Sequence, residues 1–140
     1  VNIDTIMTRD LIAVGMDETV ETVSRLLAQH HVHHLLVIEN HRLEGVISDR
    51  DVLRNLSPFV GRTSERAQDA HLLRRHAHQI MTRHPVCVRP HTPIPEACTL
   101  LLLHAVSCLP VLDDAGRPIG IVTWRDLLRH LTPHAGSAAA

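Results

Sequence analysis

The chain repeats itself. Ile6-Met7-Thr8-Arg9 recurs 74 residues later as Ile80-Met81-Thr82-Arg83, and the register holds beyond the motif. Val14 falls on Val88, Leu26-Leu27 on Leu100-Leu101, His30 on His104, and Val32, Leu35 and Val37 on Val106, Leu109 and Val111. One residue is inserted near Gly116, after which GVISDRDVLR at 45–54 matches GIVTWRDLLR at 120–129. The expected organisation is repeat 1 over 1–57, a partly helical linker over 58–76, repeat 2 over 77–132 and a flexible tail over 133–140. A unit this small buries too little surface to be stable alone, so the two copies are expected to pack together.

Both copies read as β-α-β-β-α. Leu11 to Val14 and Pro85 to Val88 are short extended stretches. Val20, Val23, Leu26 and Leu27 recur at helical spacing behind Asp17 as cap; Ile94, Ala97, Leu100 and Leu101 do so behind Thr92, with Pro93 opening the helix. Leu35 to Ile38 and Leu109 to Leu112 are apolar strands. Each is followed by turn residues, Glu39-Asn40-His41 or Asp113 to Gly116, and a second strand, Leu43 to Ser48 or Ile119 to Thr123. A final helix begins near Asp49 or Trp124 and carries Val52, Leu53 and Leu56, or Leu127, Leu128 and Leu131. In the linker, Thr63 or Ser64 caps a helix expected to run to about Gln79.

Composition narrows the function. Hydrophobic residues are 44% and aromatics 1%, so the core is aliphatic and an aromatic platform for stacking bases is missing. With a formal net charge of −1, no basic field draws nucleic acid or anionic lipid. No apolar run approaches the roughly 18 residues of a membrane span. VNIDTIMTRD carries no secretory pattern. Cys87, Cys98 and Cys108 form no CxxC pair and align with Ala13, Ser24 and His34, which favours packing roles in a reducing cytoplasm. There is no Gly-rich phosphate loop, HExxH or GxSxG, so no enzyme is expected. His30, His31, His33 and His34 form the one cluster with a metal reading, since His30 and His34 are four apart. Against it, the helix should end near His31, and His is abundant throughout, at 13 residues.

The ordered segments IMTRDLIAV and IMTRHPVCV, HHLLVIE and SCLPVLD, GVISDRD and GIVTWRD resemble those of the CBS domain in its tandem form, the Bateman module. The chain is similar to stand-alone bacterial CBS proteins. The resemblance implies an α/β (α+β) fold of two CBS repeats packed with pseudo-two-fold symmetry, and a cleft in each unit for an adenosine-containing ligand. It points to AMP, ADP, ATP or S-adenosylmethionine, with no cofactor required. The signature Gly-apolar-x-Ser/Thr-x-x-Asp falls on Ser48 and Asp51, and again on Thr123 and Asp126.

The chemistry of these residues suits such a ligand. A strand running into a helix leaves backbone N–H groups that favour anions, and the Ser48 hydroxyl can join them. Asp51 returns to the same side one turn later, and an ionised carboxylate suits ribose hydroxyls. Arg50 and Arg125 are candidates for phosphate contacts. Alternatively, the same Ser, Thr and Asp residues simply cap their helices. By the resemblance, His33 and His34 hold phosphate-facing places, with Ser107 and Cys108 their counterparts, so repeat 1 is the better equipped for charge. Ile12, Leu36, Val86 and Pro110 are candidate walls for a purine or plain core; the family often has Pro at the place of Leu36. The resemblance further implies a homodimer and an effector protein as partner. The alternatives are a structural or dimerisation module without a ligand, and a metal sensor built on the His cluster.

Overall fold

The computed structural model describes residues 1–55, 71 and 73–132. The expected linker helix start, Leu56 and the tail lie outside the described residues. The chain divides into two compact units, one of residues 12–84 and one of residues 1–11 with 85–140. These units are not the sequence repeats: each repeat contributes its opening segment to the other unit's core.

In the first of these units, β1 (Ala13–Val14) pairs parallel to β2 (His34–Glu39), which pairs antiparallel with β3 (Arg42–Ser48). β4 (Thr82–Arg83), from the second IMTR motif, closes the sheet antiparallel to β3, in the order β1-β2-β3-β4. Helices α1 (Val20–Gln29), α2 (Asp49–Arg54) and α3 (Ala77–Ile80) accompany it. Val20, Val23 and Leu27 of α1 meet Leu35, Val37, Ile47, Ala77, Ile80 and Met81 in one aliphatic core. The other unit repeats the plan with α4 (Ile94–His104), β5 (Cys108–Leu112), β6 (Pro118–Thr123) and α5 (Trp124–Leu131). Here Val88 bridges Val111 in the place of β1, and Thr8 bridges Ile121 in the place of β4. Ile3 and Met7 join Ile94, Ala97, Leu101, Leu109, Val111, Val122 and Leu127 in the core.

The glycine of each signature makes room for the exchanged methionine. A Cβ on Gly45 would lie 2.6 Å from Met81 Sδ and 2.8 Å from the Thr82 carbonyl oxygen; on Gly120 it would lie 2.7 Å from Met7 Sδ and 3.1 Å from the Thr8 carbonyl oxygen. These approaches are possible only without a side chain.

Local chemistry shifts three expected boundaries. Thr19, not Asp17, caps α1, its hydroxyl accepting from Thr22 N at 3.3 Å, while Asp17 uses its carbonyl to accept from His76 Nδ1. Thr92 accepts from Arg89 N at 3.0 Å, which turns its oxygen upstream, so Pro93 becomes the N-cap of α4 and Pro95 sits in its first turn. Residues 71, 73 and 74 are helical, but a bend at Arg75 and a bridge from His76 to Thr19 end that stretch before α3, so no continuous helix reaches Gln79. The turn at Asn40-His41, with φ of 51° and 64°, is the two-residue hairpin form whose twist matches its strands.

Candidate functional site

In each repeat the second strand of the hairpin runs directly into the last helix, and the signature sits at that junction. In repeat 1, antiparallel pairing places His34 opposite Ser48. The Ser48 N–H donates to Asp51 Oδ2 at 2.8 Å, and Asp51 N donates back to Ser48 Oγ at 3.1 Å. This reciprocal capping box satisfies two backbone donors at the start of α2. Asp51 Oδ1 lies 3.7 Å from Arg54 Nη1. In repeat 2, Cys108 lies opposite Thr123. Asp126 Oδ2 accepts both the N–H and the hydroxyl of Thr123, at 2.9 and 3.2 Å, and Thr8 Oγ1 approaches Oδ1 at 3.5 Å. Asp126 is only 8% exposed and is the one buried charged side chain among the described residues. Both Asp residues thus act as caps. A carboxylate has about four acceptor positions, so capping leaves each with capacity for a further donor.

A second pairing crosses the same junction. Asp49 N donates to the His33 carbonyl at 3.0 Å, and in repeat 2 Trp124 N reaches the Ser107 carbonyl at 3.4 Å. The backbones are equivalent, but the side chains are not. His33 Nδ1 lies 2.7 Å from Asp49 Oδ2, with the two side chains 61% and 45% exposed. Burial opposes the charge on Asp49, but the hydrogen bond and charge of His33 outweigh it and hold the carboxyl below its ordinary value. His34 is half-buried. Burial lowers its imidazole below the usual range, with Asp49 and Asp51 opposing and His33 and Arg50 reinforcing the fall.

The remaining expected residues fall into two groups. Arg50 and Arg125 are exposed in the first turns of α2 and α5. Leu36 and Pro110 are buried, yet they belong to neither aliphatic core; they alternate with the core residues Leu35 and Val37, or Leu109 and Val111, and so occupy the other face of their strands. Ile12 and Val86 are partly buried against the cores, and the Ile12 carbonyl accepts from Leu36 N at 3.0 Å.

The His cluster loses the shared helix face on which its metal reading rests. His30 caps the end of α1, His31 takes φ of 53°, and His34 is already on β2, so the helical spacing of His30 and His34 is broken. No group of three or more His, Cys, Asp or Glu among the described residues is placed to hold a metal ion. Burial pushes the Cys87 thiol up, against a smaller opposing effect of Arg89, and so favours its protonated form. The sequence reading missed Thr8, Asp49 and the exchanged methionines. For Thr8 and the methionines the only signal was the repeated IMTR motif; Asp49 had none.

Two junctions of this kind on a duplicated β-α-β-β-α unit define a tandem-repeat α+β architecture. The chain belongs to the CBS domain family, whose model matches residues 3–58 and 77–133. A CBS domain-containing protein of Dictyostelium discoideum is 36% identical over 126 residues, covering 88% of this chain and 86% of that protein. Other curated relatives, including inosine-5′-monophosphate dehydrogenases, are longer proteins of which this chain spans 19–23%. Among solved structures, CBSX2, known from Arabidopsis thaliana, in complex with AMP is 29% identical, with a TM-score of 0.78 over 94% of this chain and 96% of that one. The CBS domain pair of MJ0100, in complex with 5′-methylthioadenosine and S-adenosyl-L-methionine, has a TM-score of 0.80 at 23% identity, covering 95% and 97%, and shares the fold. No helix among the described residues is long and apolar enough to cross a membrane.

Proposed function

We propose that this protein is a non-catalytic regulatory module that binds an adenine nucleotide (AMP, ADP or ATP) or an adenosyl compound such as S-adenosylmethionine. The observation that carries this reading is the doubled Ser/Thr–Asp junction, intact in both repeats of a chain that resembles AMP-bound CBSX2 across nearly its whole length. In repeat 1 the ribose falls to Asp51, the phosphate to Ser48, Arg50, His33 and His34, and the purine to Ile12 and Leu36. In repeat 2 the corresponding set is Asp126, Thr123, Arg125, Ser107, Val86 and Pro110. Repeats over 1–57 and 77–132, joined by a linker and followed by a tail, remain the working organisation.

The output passes to an effector protein in the cytoplasm, and the module works as a homodimer. Exposed Leu102 and Leu103 on α4 and Trp124, Leu128 and Leu131 on α5 support assembly through helices. They also favour the second reading, an interaction module without a ligand.

Thermal unfolding against AMP, ADP, ATP, GTP, S-adenosylmethionine and 5′-methylthioadenosine separates the two. A ligand at about 100 times its Kd adds about 2.7 kcal/mol, several degrees in Tm. The expected result is a selective shift from an adenine-containing ligand that shrinks in Asp51→Ala and Asp126→Ala. A flat panel sinks the ligand reading and leaves the interaction module.

A further inference from the structure

The two junctions share a backbone but differ in their titratable side chains. Around the His33–Asp49 pair stand His34 on β2 and Arg50 and Asp51 on α2; His30 and His31 lie at the end of α1, and the end of β3 supplies only uncharged Ser48. The fixed charges beside it are Asp49, Arg50, Asp51 and Arg54, which lies 3.7 Å from Asp51, so with neutral imidazoles at 33 and 34 they balance. In repeat 2, Arg125 and Asp126 stand at the equivalent places, and Ser107, Cys108 and Trp124 carry no imidazole.

The Asp49 carboxylate is acceptor-only, so the proton of neutral His33 must sit on Nδ1, 2.7 Å away. Nε2 of that ring is then a lone pair, which an anion avoids. A second proton on the ring keeps the Asp49 bond and converts Nε2 into a donor. The ring is well exposed, whereas burial makes His34 harder to charge. We propose that repeat 1 binds the phosphate of an adenine nucleotide with uptake of a proton on His33, while repeat 2 binds its ligand without one. This rests on the ligand reading above and adds that the two sites differ: only the first reports pH together with nucleotide.

Calorimetric titration of the full chain with AMP and with adenosine, near pH 6 and near pH 8, tests it. Each pH is run in two buffers of different ionisation enthalpy, which count the protons taken up. AMP's own phosphate titrates near pH 6, so the informative quantity is the difference between wild type and His33→Gln, in which the ligand's contribution cancels. Between the two pH values, AMP binding by wild type should tighten about tenfold more than binding by His33→Gln, with a proton uptake that the variant lacks. Adenosine should show no such difference, and Asp49→Asn, which frees the tautomer, should also weaken the linkage. Equal pH dependence in wild type and His33→Gln overturns this inference while leaving the ligand reading intact. If AMP, ADP and ATP all fail to bind at both pH values, this inference falls, and the ligand reading falls with it only if the adenosyl compounds also fail to bind.

Discussion

Ala105 and His31 hold equivalent places at the ends of α4 and α1, and both have φ of 53°. In each case the residue after the left-handed one closes the turn: Val106 N donates to the Leu101 carbonyl at 3.2 Å and Val32 N to the Leu27 carbonyl at 3.1 Å. Both valines pack against their cores, completing a Schellman ending whose left-handed residue is normally glycine. A side chain there costs about 1 kcal/mol. Ala105→Gly should therefore raise stability by about 1 kcal/mol, read as a higher urea midpoint with an unchanged slope. Unchanged or lowered stability would show that the helix end relaxes without cost. At this scale the capping pairs were legible, because Ser48 with Asp51 and Thr123 with Asp126 lie three residues apart on a helix start. The His33–Asp49 pair was not. It joins a strand entry to a helix entry across a whole hairpin, and nothing in residue spacing announces it.

Among elements, the hairpins and amphipathic helices followed from apolar periodicity read twice over. The exchanged segments could not be read that way. The two IMTR motifs are identical, and so are the two glycines they must meet, so either motif fits either strand by sequence. The contact geometry now separates two substitutions. At Gly45 an added methyl meets a backbone oxygen at 2.8 Å as well as Met81, whereas at Gly120 the backbone oxygen is 3.1 Å away and the closest atom belongs to flexible Met7. Overpacking of this kind costs about 1–3 kcal/mol. Gly45→Ala should fall near the upper end and Gly120→Ala near the lower, measured side by side by thermal unfolding. The reverse order would show that β4, not Met7, gives way more easily.

Across the whole molecule, the exposed apolar side chains are unevenly shared. Leu102, Leu103, Trp124, Leu128 and Leu131 belong to repeat 2, and among the described residues of repeat 1's helices only Leu53 matches them. The proposed homodimer should therefore depend mainly on repeat 2. Leu103→Asp or Leu128→Asp should shift sedimentation equilibrium toward monomer by more than tenfold in Kd, and Leu53→Asp by less. A dimer indifferent to Leu103 and Leu128 would place the contact elsewhere.

The exchange of opening segments also bears on how such a chain arises. A lone copy of the repeat, cut free of its twin, would lack the strand and methionine that fill its glycine gap. It could recover them only from a second identical chain that makes the same loan in return. The covalent duplication turns that reciprocal swap between two molecules into an internal one. The break between units at Leu11 and Ile12 is thus the natural place to open a circular permutant, because it cuts across neither sheet.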